Sequence, residues 1–186
     1  MADMTRFITF SVEQKDEGKY LRNKILLIAM YIVAAIGIVV GLTAWMKGIG
    51  VLIGVILGGV IVLKVLKPLT WKYAKVDHRY EMQSGNWMFY LDYSERSIDY
   101  FYKRKIKEAE AIVPMTEENI EKYVTGKTFG KEYDMRGSVK AEDAYIVLFP
   151  EEDGTKTLIK FVATNDALAV MKFYNAAATE VTHVYH

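Results

Sequence analysis

The chain of 186 residues contains no cysteine and only three prolines. Without a thiol there is no disulfide framework, no thiolate zinc site, no iron–sulfur cluster and no cysteine nucleophile. An excess of charge is missing too. The 24 basic and 23 acidic side chains leave a net +1, so bulk attraction to nucleic acid is not expected. Familiar catalytic signatures are also absent. There is no G-x-x-x-x-G-K-[ST] phosphate loop and no G-x-S-x-G elbow. Gly126-Lys127-Thr128 holds only the last three letters of the former and reads as a turn. His78, His183 and His186 do not stand at metal-ligand spacing. Glu117-Glu118 and Glu151-Glu152-Asp153 fall at a helix start and a hairpin turn, both ordinary solvated positions. No catalytic residue, cofactor, metal or small-molecule substrate is assigned, and the chain reads as non-enzymatic.

The longest absence is of charge along one stretch. Ile25 to Met46 runs 22 residues without an ionisable acid or base. Roughly 20 residues of helix cross a hydrocarbon core of about 30 Å. A soluble core helix of that length would show a polar face. After Lys47-Gly48, a second apolar stretch runs from Ile49 to Leu63. Lys64 can snorkel, which extends the span to Leu66. A cleaved signal peptide fits less well, because the run is too long for an h-region and a second one follows at once. Residues 25–66 therefore read as a transmembrane helical hairpin.

Basic residues set its orientation. Arg6, Lys15, Lys19, Arg22 and Lys24 precede the first helix; Lys64, Lys67, Lys72, Lys75 and Arg79 accompany the end of the second; the turn holds only Lys47. The expectation is a cell-membrane protein with two spans and cytoplasmic N- and C-termini. Tyr20, Trp71 and Tyr73 are placed for an inner aromatic belt, and Trp45 for an outer one. Gly50, Gly54 and Gly58 recur every four residues, as do Gly37 and Gly41. Small residues at this spacing allow close helix packing in lipid. They are read as the seam of the hairpin, with a homo-oligomeric seam as the alternative. Neither span carries Asp, Glu, Arg or His, which argues for an anchor rather than a transport pathway.

The remainder has a different charge. Residues 1–72 carry nine basic and four acidic side chains (+5), whereas residues 73–186 carry fifteen and nineteen (−4). Strand signals are short and frequent after residue 77. They cover Tyr80–Gln83, Trp87–Tyr93, Ser97–Arg104, Ala109–Val113, Ala144–Phe149 and Thr157–Val162. Ser84-Gly85-Asn86, Ser94-Glu95-Arg96 and Glu151–Gly154 read as turns. Thr116 is placed to cap a helix over Glu117–Val124, and Asn165 to cap a closing helix from Asp166 to about Ala178. Thr125–Glu142 reads as loop, with one strand at Glu132–Met135. In the lead-in, Ile8, Phe10 and Val12 alternate as a strand would, but Met4, Phe7 and Ile8 also suit an interfacial helix. With lipid so near, the helix is preferred.

The division expected is an N-terminal juxtamembrane segment (1–24), the hairpin (25–66), a linker (67–76) and a β domain (77–186). That order resembles a family of small bacterial membrane proteins in which a two-helix hairpin precedes a pleckstrin-homology-like domain. The resemblance lies in MADMTRFITFSVEQ, the double span, SIDYFYKRK and DAYIVLFPEEDGTKTLIKFVATNDALAVMKFY. It implies an α+β fold whose antiparallel β domain is closed by a C-terminal helix. It implies no activity, because the family has no defined one. Pleckstrin-homology domains that hold phosphoinositides use basic residues around the first strand turn. Here that turn, Gln83-Ser84-Gly85-Asn86, has none. The densest basic cluster is Lys103, Arg104, Lys105 and Lys107, a candidate contact with anionic lipid at about 1 kcal/mol per side chain, though a solvated strand end and turn is the preferred reading. The expected partners are the bilayer and a protein or second copy, for which the sheet edges offer strand addition. Nucleic acid is not expected, since the aromatic strands lack a basic groove.

Overall fold

In the computed structural model, residues 7–93 and 98–182 are described. The protein is α+β and divides into two units, one of residues 15–76 and one combining the chain before residue 15 with the chain from residue 77 on.

The first unit is a helical hairpin. Helix α1 covers Gly18–Met46. Helix α2 covers Gly48–Ile61 and continues through a π turn at Val62–Leu66, the short α3 at Lys67–Thr70 and a 3₁₀ turn at Trp71–Tyr73. Both helical runs, of 29 and 26 residues, are long and apolar enough to span a membrane. Lys47 alone separates them, with φ +55°, a left-handed conformation that costs a non-glycine residue free energy.

In the second unit, β1 (Ile8–Glu13), β2 (Asp77–Gln83), β3 (Asn86–Asp92) and β4 (Ile98–Lys105) form an antiparallel sheet in that order. A second sheet has the order β5-β7-β8-β6. Its strands are β5 (Ala111–Pro114), β6 (Lys131–Met135), β7 (Ala144–Pro150) and β8 (Lys156–Val162). The expectation of a wholly antiparallel domain needs correction here, because β6 pairs with β8 in parallel. A parallel partner needs a crossover, and β6 precedes β7 and β8 in the chain, so no hairpin signal could announce the pairing.

The two sheets meet over an aromatic core. Trp87 and Phe161 cross edge-to-face at 5.0 Å between centroids, and Tyr80 and Phe161 at 5.9 Å. T-shaped pairs of this kind stabilise beyond the area they bury. Helix α5 (Asn165–Tyr174) adds Leu168 and Met171 to that core. On the outer face of the second sheet, Ile146, Leu148 and Leu158 form another cluster, with Ile120 of α4 (Glu117–Tyr123) packed on it. Strand β7 is thus covered on both faces, which is why it reads as a nearly continuous apolar run.

Three further expectations need correction. The lead-in is a strand. Ile8 joins the core and Phe10 packs on Tyr80 at 5.5 Å. The partner strand, β2, begins 64 residues after Glu13, where Asp77 stands opposite it. The closing helix is capped by Thr164, whose Oγ1 accepts from the Ala167 N–H at 3.2 Å, not by Asn165. The helix also ends at Tyr174 rather than Ala178. There Asn175 turns its Nδ2 to the carbonyls of Ile106 and Ala109, at 3.1 and 2.8 Å, and its side chain competes with helix continuation. Residues 178–180 then bond to Ile112 and cover the edge of β5. The turn expected at Ser94-Glu95-Arg96 lies outside the described residues, as do Met4, His183 and His186.

Candidate functional site

Of the five glycines expected at the helix seam, the structure brings three to it. Gly50, Gly54 and Gly58 are the buried residues of α2. A Cβ on Gly50 would fall on the Leu42 carbonyl, one on Gly54 would lie 2.8 Å from Val39 Cα, and one on Gly58 would lie 3.5 Å from the Ala35 oxygen. Only hydrogen fits at the first two. Gly37 and Gly41 share the spacing but not the facing. They are exposed, and a Cβ on either meets nothing within 4 Å. Toward the other end of the hairpin, Thr70 Oγ1 donates to the Leu66 carbonyl at 2.8 Å, so Tyr31 OH must donate to Thr70 Oγ1, at 2.6 Å. Tyr31 reaches Thr70 because helical side chains tilt toward the N-terminus. Asn23 Nδ2 adds a bond to the Tyr73 carbonyl at 3.1 Å. The sequence reading missed this polar lock. Its signal was a tyrosine buried in an otherwise apolar run.

The basic cluster divides. Lys103, Lys105 and Lys107 are exposed, whereas Arg104 turns inward and pairs with Glu151. Glu151 also accepts from Tyr102 OH at 2.8 Å and from Thr157 Oγ1 at 2.5 Å. One carboxylate therefore ties β4 to the β7–β8 hairpin. Burial opposes its ionisation, but the bonds from Thr157, Tyr102 and Arg104 outweigh that and hold it below the usual carboxylate range. Burial, reinforced by Glu151, pushes the Tyr102 phenol up to about 12. Beside this knot lies a polar cleft of about 470 Å³ lined by Arg104, Gly130, Lys131, Glu151, Glu152, Asp153 and Thr155. It mixes both charge signs, its Thr155 hydroxyl donates to Asp153 at 2.7 Å, and its one arginine is already paired with Glu151. Among the described residues no cluster of His, Asp and Glu is arranged to hold a metal ion.

A second polar junction lies where the chain leaves the first sheet. Gln14 Nε2 donates to the Gly137 carbonyl at 3.0 Å, which leaves Gln14 Oε1 to accept from His78 Nε2 at 3.0 Å. His78 Nε2 therefore carries a proton, and the buried Nδ1 has no partner among the described residues. Burial pushes its pKa down to about 4, against a smaller opposing pull from Asp134. Register fixes what else lies at this end. Glu13, Asp77, Asp92 and Ile98 stand opposite one another across the four strands. Lys105 is at the other end of β4, about 23 Å away at strand rise.

Compared with family models, curated proteins and solved structures, the chain matches none.

Proposed function

We propose that this chain is a membrane-anchored, non-enzymatic interaction module. Its hairpin crosses the bilayer twice, and its β unit is displayed as a pleckstrin-homology-like domain at the inner face. The observation that carries the reading is the ladder from Ile8–Met82 to Glu13–Asp77, formed across the intervening residues 14–76. Strands that share a ladder lie on one side of a membrane, so the segment between them must return, as two spans do. The basic residues flanking the hairpin favour the cytoplasmic side. An antiparallel four-stranded sheet packed on a second sheet and closed by a C-terminal helix supports the pleckstrin-homology-like reading. The partner is a protein or a second copy; the −4 of residues 73–186 speaks against nucleic acid.

Because the chain has no native cysteine, single substitutions report topology cleanly. An impermeant maleimide added to intact cells should label Lys47→Cys and spare Glu152→Cys until lysis. Labelling of Glu152→Cys from outside refutes the orientation. Labelling of neither position before lysis refutes the hairpin.

One observation favours a second reading, an accessory subunit of a larger membrane transport or envelope-stress assembly. The outward-facing Gly37 and Gly41 leave room for a partner helix. Crosslinking in native membranes distinguishes the two, since a defined multisubunit complex lost on Gly41→Leu supports the accessory role.

A further inference from the structure

We infer that the end of the β unit bearing Val139 and Ile98 docks by apolar contact into the headgroup layer of the bilayer that the same chain spans. The inference rests on the membrane reading above.

Val139 is 71% exposed, more than any other large apolar side chain of the described β unit. One exposed valine on a slack loop needs no explanation, but this loop is fixed. Gly137, at φ +71°, packs so tightly on β1 that a Cβ would lie 2.5 Å from Val12 Cγ1 and 2.6 Å from the Glu13 carbonyl. Its own carbonyl is held by Gln14. Arg136, itself gripped by Asp134 at 2.9 and 2.6 Å, donates to the Val139 carbonyl at 3.3 Å. The valine is thus presented beside the point where the chain leaves the sheet. Ile98 and Tyr100, 52% and 53% exposed, lie toward the same end, at the opposite edge of the sheet.

Connectivity names the occupant. Four residues separate β1 from α1, and three separate the last helical turn from β2. Four residues extend at most about 14 Å. The seven residues from Gly18 to Lys24 that precede the apolar run rise about 10 Å as helix, enough to cross a headgroup layer. Two short tethers therefore hold this end near lipid, and no tether brings a second copy to it. Glu13, Asp77 and Asp92 share this end against the single exposed Lys140 beside Val139, and Arg136 and Arg79 are paired with Asp134 and Glu81, so no net positive charge there recruits anionic lipid. The contact is apolar and indifferent to headgroup charge.

The test uses the full chain in phosphatidylcholine vesicles, with single cysteines carrying a polarity-sensitive fluorophore at Val139, Ile98, Glu152 or Val33. Labels at Val139 and Ile98 should be blue-shifted, shielded from aqueous iodide and quenched by headgroup spin labels, and should stay so when phosphatidylglycerol is added. The Glu152 label, at the opposite end beside Arg104, should remain iodide-accessible. The Val33 label, in mid-span, tests the membrane reading separately. Lipid-embedded Val33 with water-exposed Val139 overturns the docking alone, whereas water-exposed Val33 overturns the membrane reading. Shielding of Val139 that disappears on diluting protein in lipid, together with Val139→Cys crosslinks between chains, identifies a second copy and also overturns the docking.

Discussion

His78 should make the β unit acid-labile well above the pH at which carboxylates protonate. Its imidazole is buried, and protonation would add an Nδ1–H that finds no acceptor among the described residues. The folded pKa is near 4 against 6.5 for an unperturbed histidine. The unfolded chain therefore binds a proton that the folded chain refuses. The resulting stability is fully present above pH 6.5 and is lost as pH falls toward 4. The whole gap corresponds to about 3 kcal/mol, of which about 2 kcal/mol is lost between pH 7.5 and 5. Urea unfolding of the full chain in detergent, followed by the fluorescence of the buried Trp87 in a Trp45→Phe, Trp71→Phe background, measures this. His78→Gln removes the titration, and the other two histidines are common to both proteins and cancel in the comparison. The wild type should lose about 2 kcal/mol more than the variant over that interval. Parallel losses in the two proteins would refute the reasoning.

Three other outcomes follow from packing. Gly54→Leu should separate α1 from α2 because its side chain meets the Val39 backbone, while Gly41→Leu should leave the hairpin closed; excimer formation between pyrenes at Val40→Cys and Ile56→Cys reports the difference. Glu151→Gln should lower stability by about 1–3 kcal/mol, since Tyr102, Thr157 and Arg104 lose a charged acceptor; the urea midpoint checks it. Lys47→Gly should stabilise the hairpin by about 1 kcal/mol by relieving the positive φ, read as a raised Tm in detergent.

What could be read from the sequence was local. The hydrocarbon-length runs, the cap at Thr116, the Asp-Gly turn before β8 and the nearly continuous apolar strand β7 each carry their cause within a few residues. What could not be read depends on facing or on distant partners. Spacing shows that Gly37–Gly41 and Gly50–Gly54–Gly58 are small-residue stripes, but only the packed pair shows that the second faces the seam and the first faces away. Arg104 looked like one of four exposed cations because its partner, Glu151, is 47 residues further on. The lead-in looked interfacial because β2 lies beyond the whole hairpin. The Gln14–His78–Gly137 junction had no local signature for the same reason.

The position of β1 also determines what kind of anchor the hairpin is. An anchor ahead of a finished domain could be cut away without touching the domain's sheet. Here the first sheet takes one strand from before the hairpin and three from after it. The six register pairs of β1 with β2 form only after the hairpin has turned back, a non-local closure of the kind that slows folding. Until then β2 presents an open edge beside Met82 and Tyr80, the exposure that invites misplaced strand pairing. On the membrane reading proposed above, insertion of the hairpin serves the folding of the domain by bringing the two flanks together on one side of the bilayer. Once the ladder has formed, drawing Glu13 away from Asp77 breaks it, and with it the packing of Ile8 and Phe10 on the aromatic core.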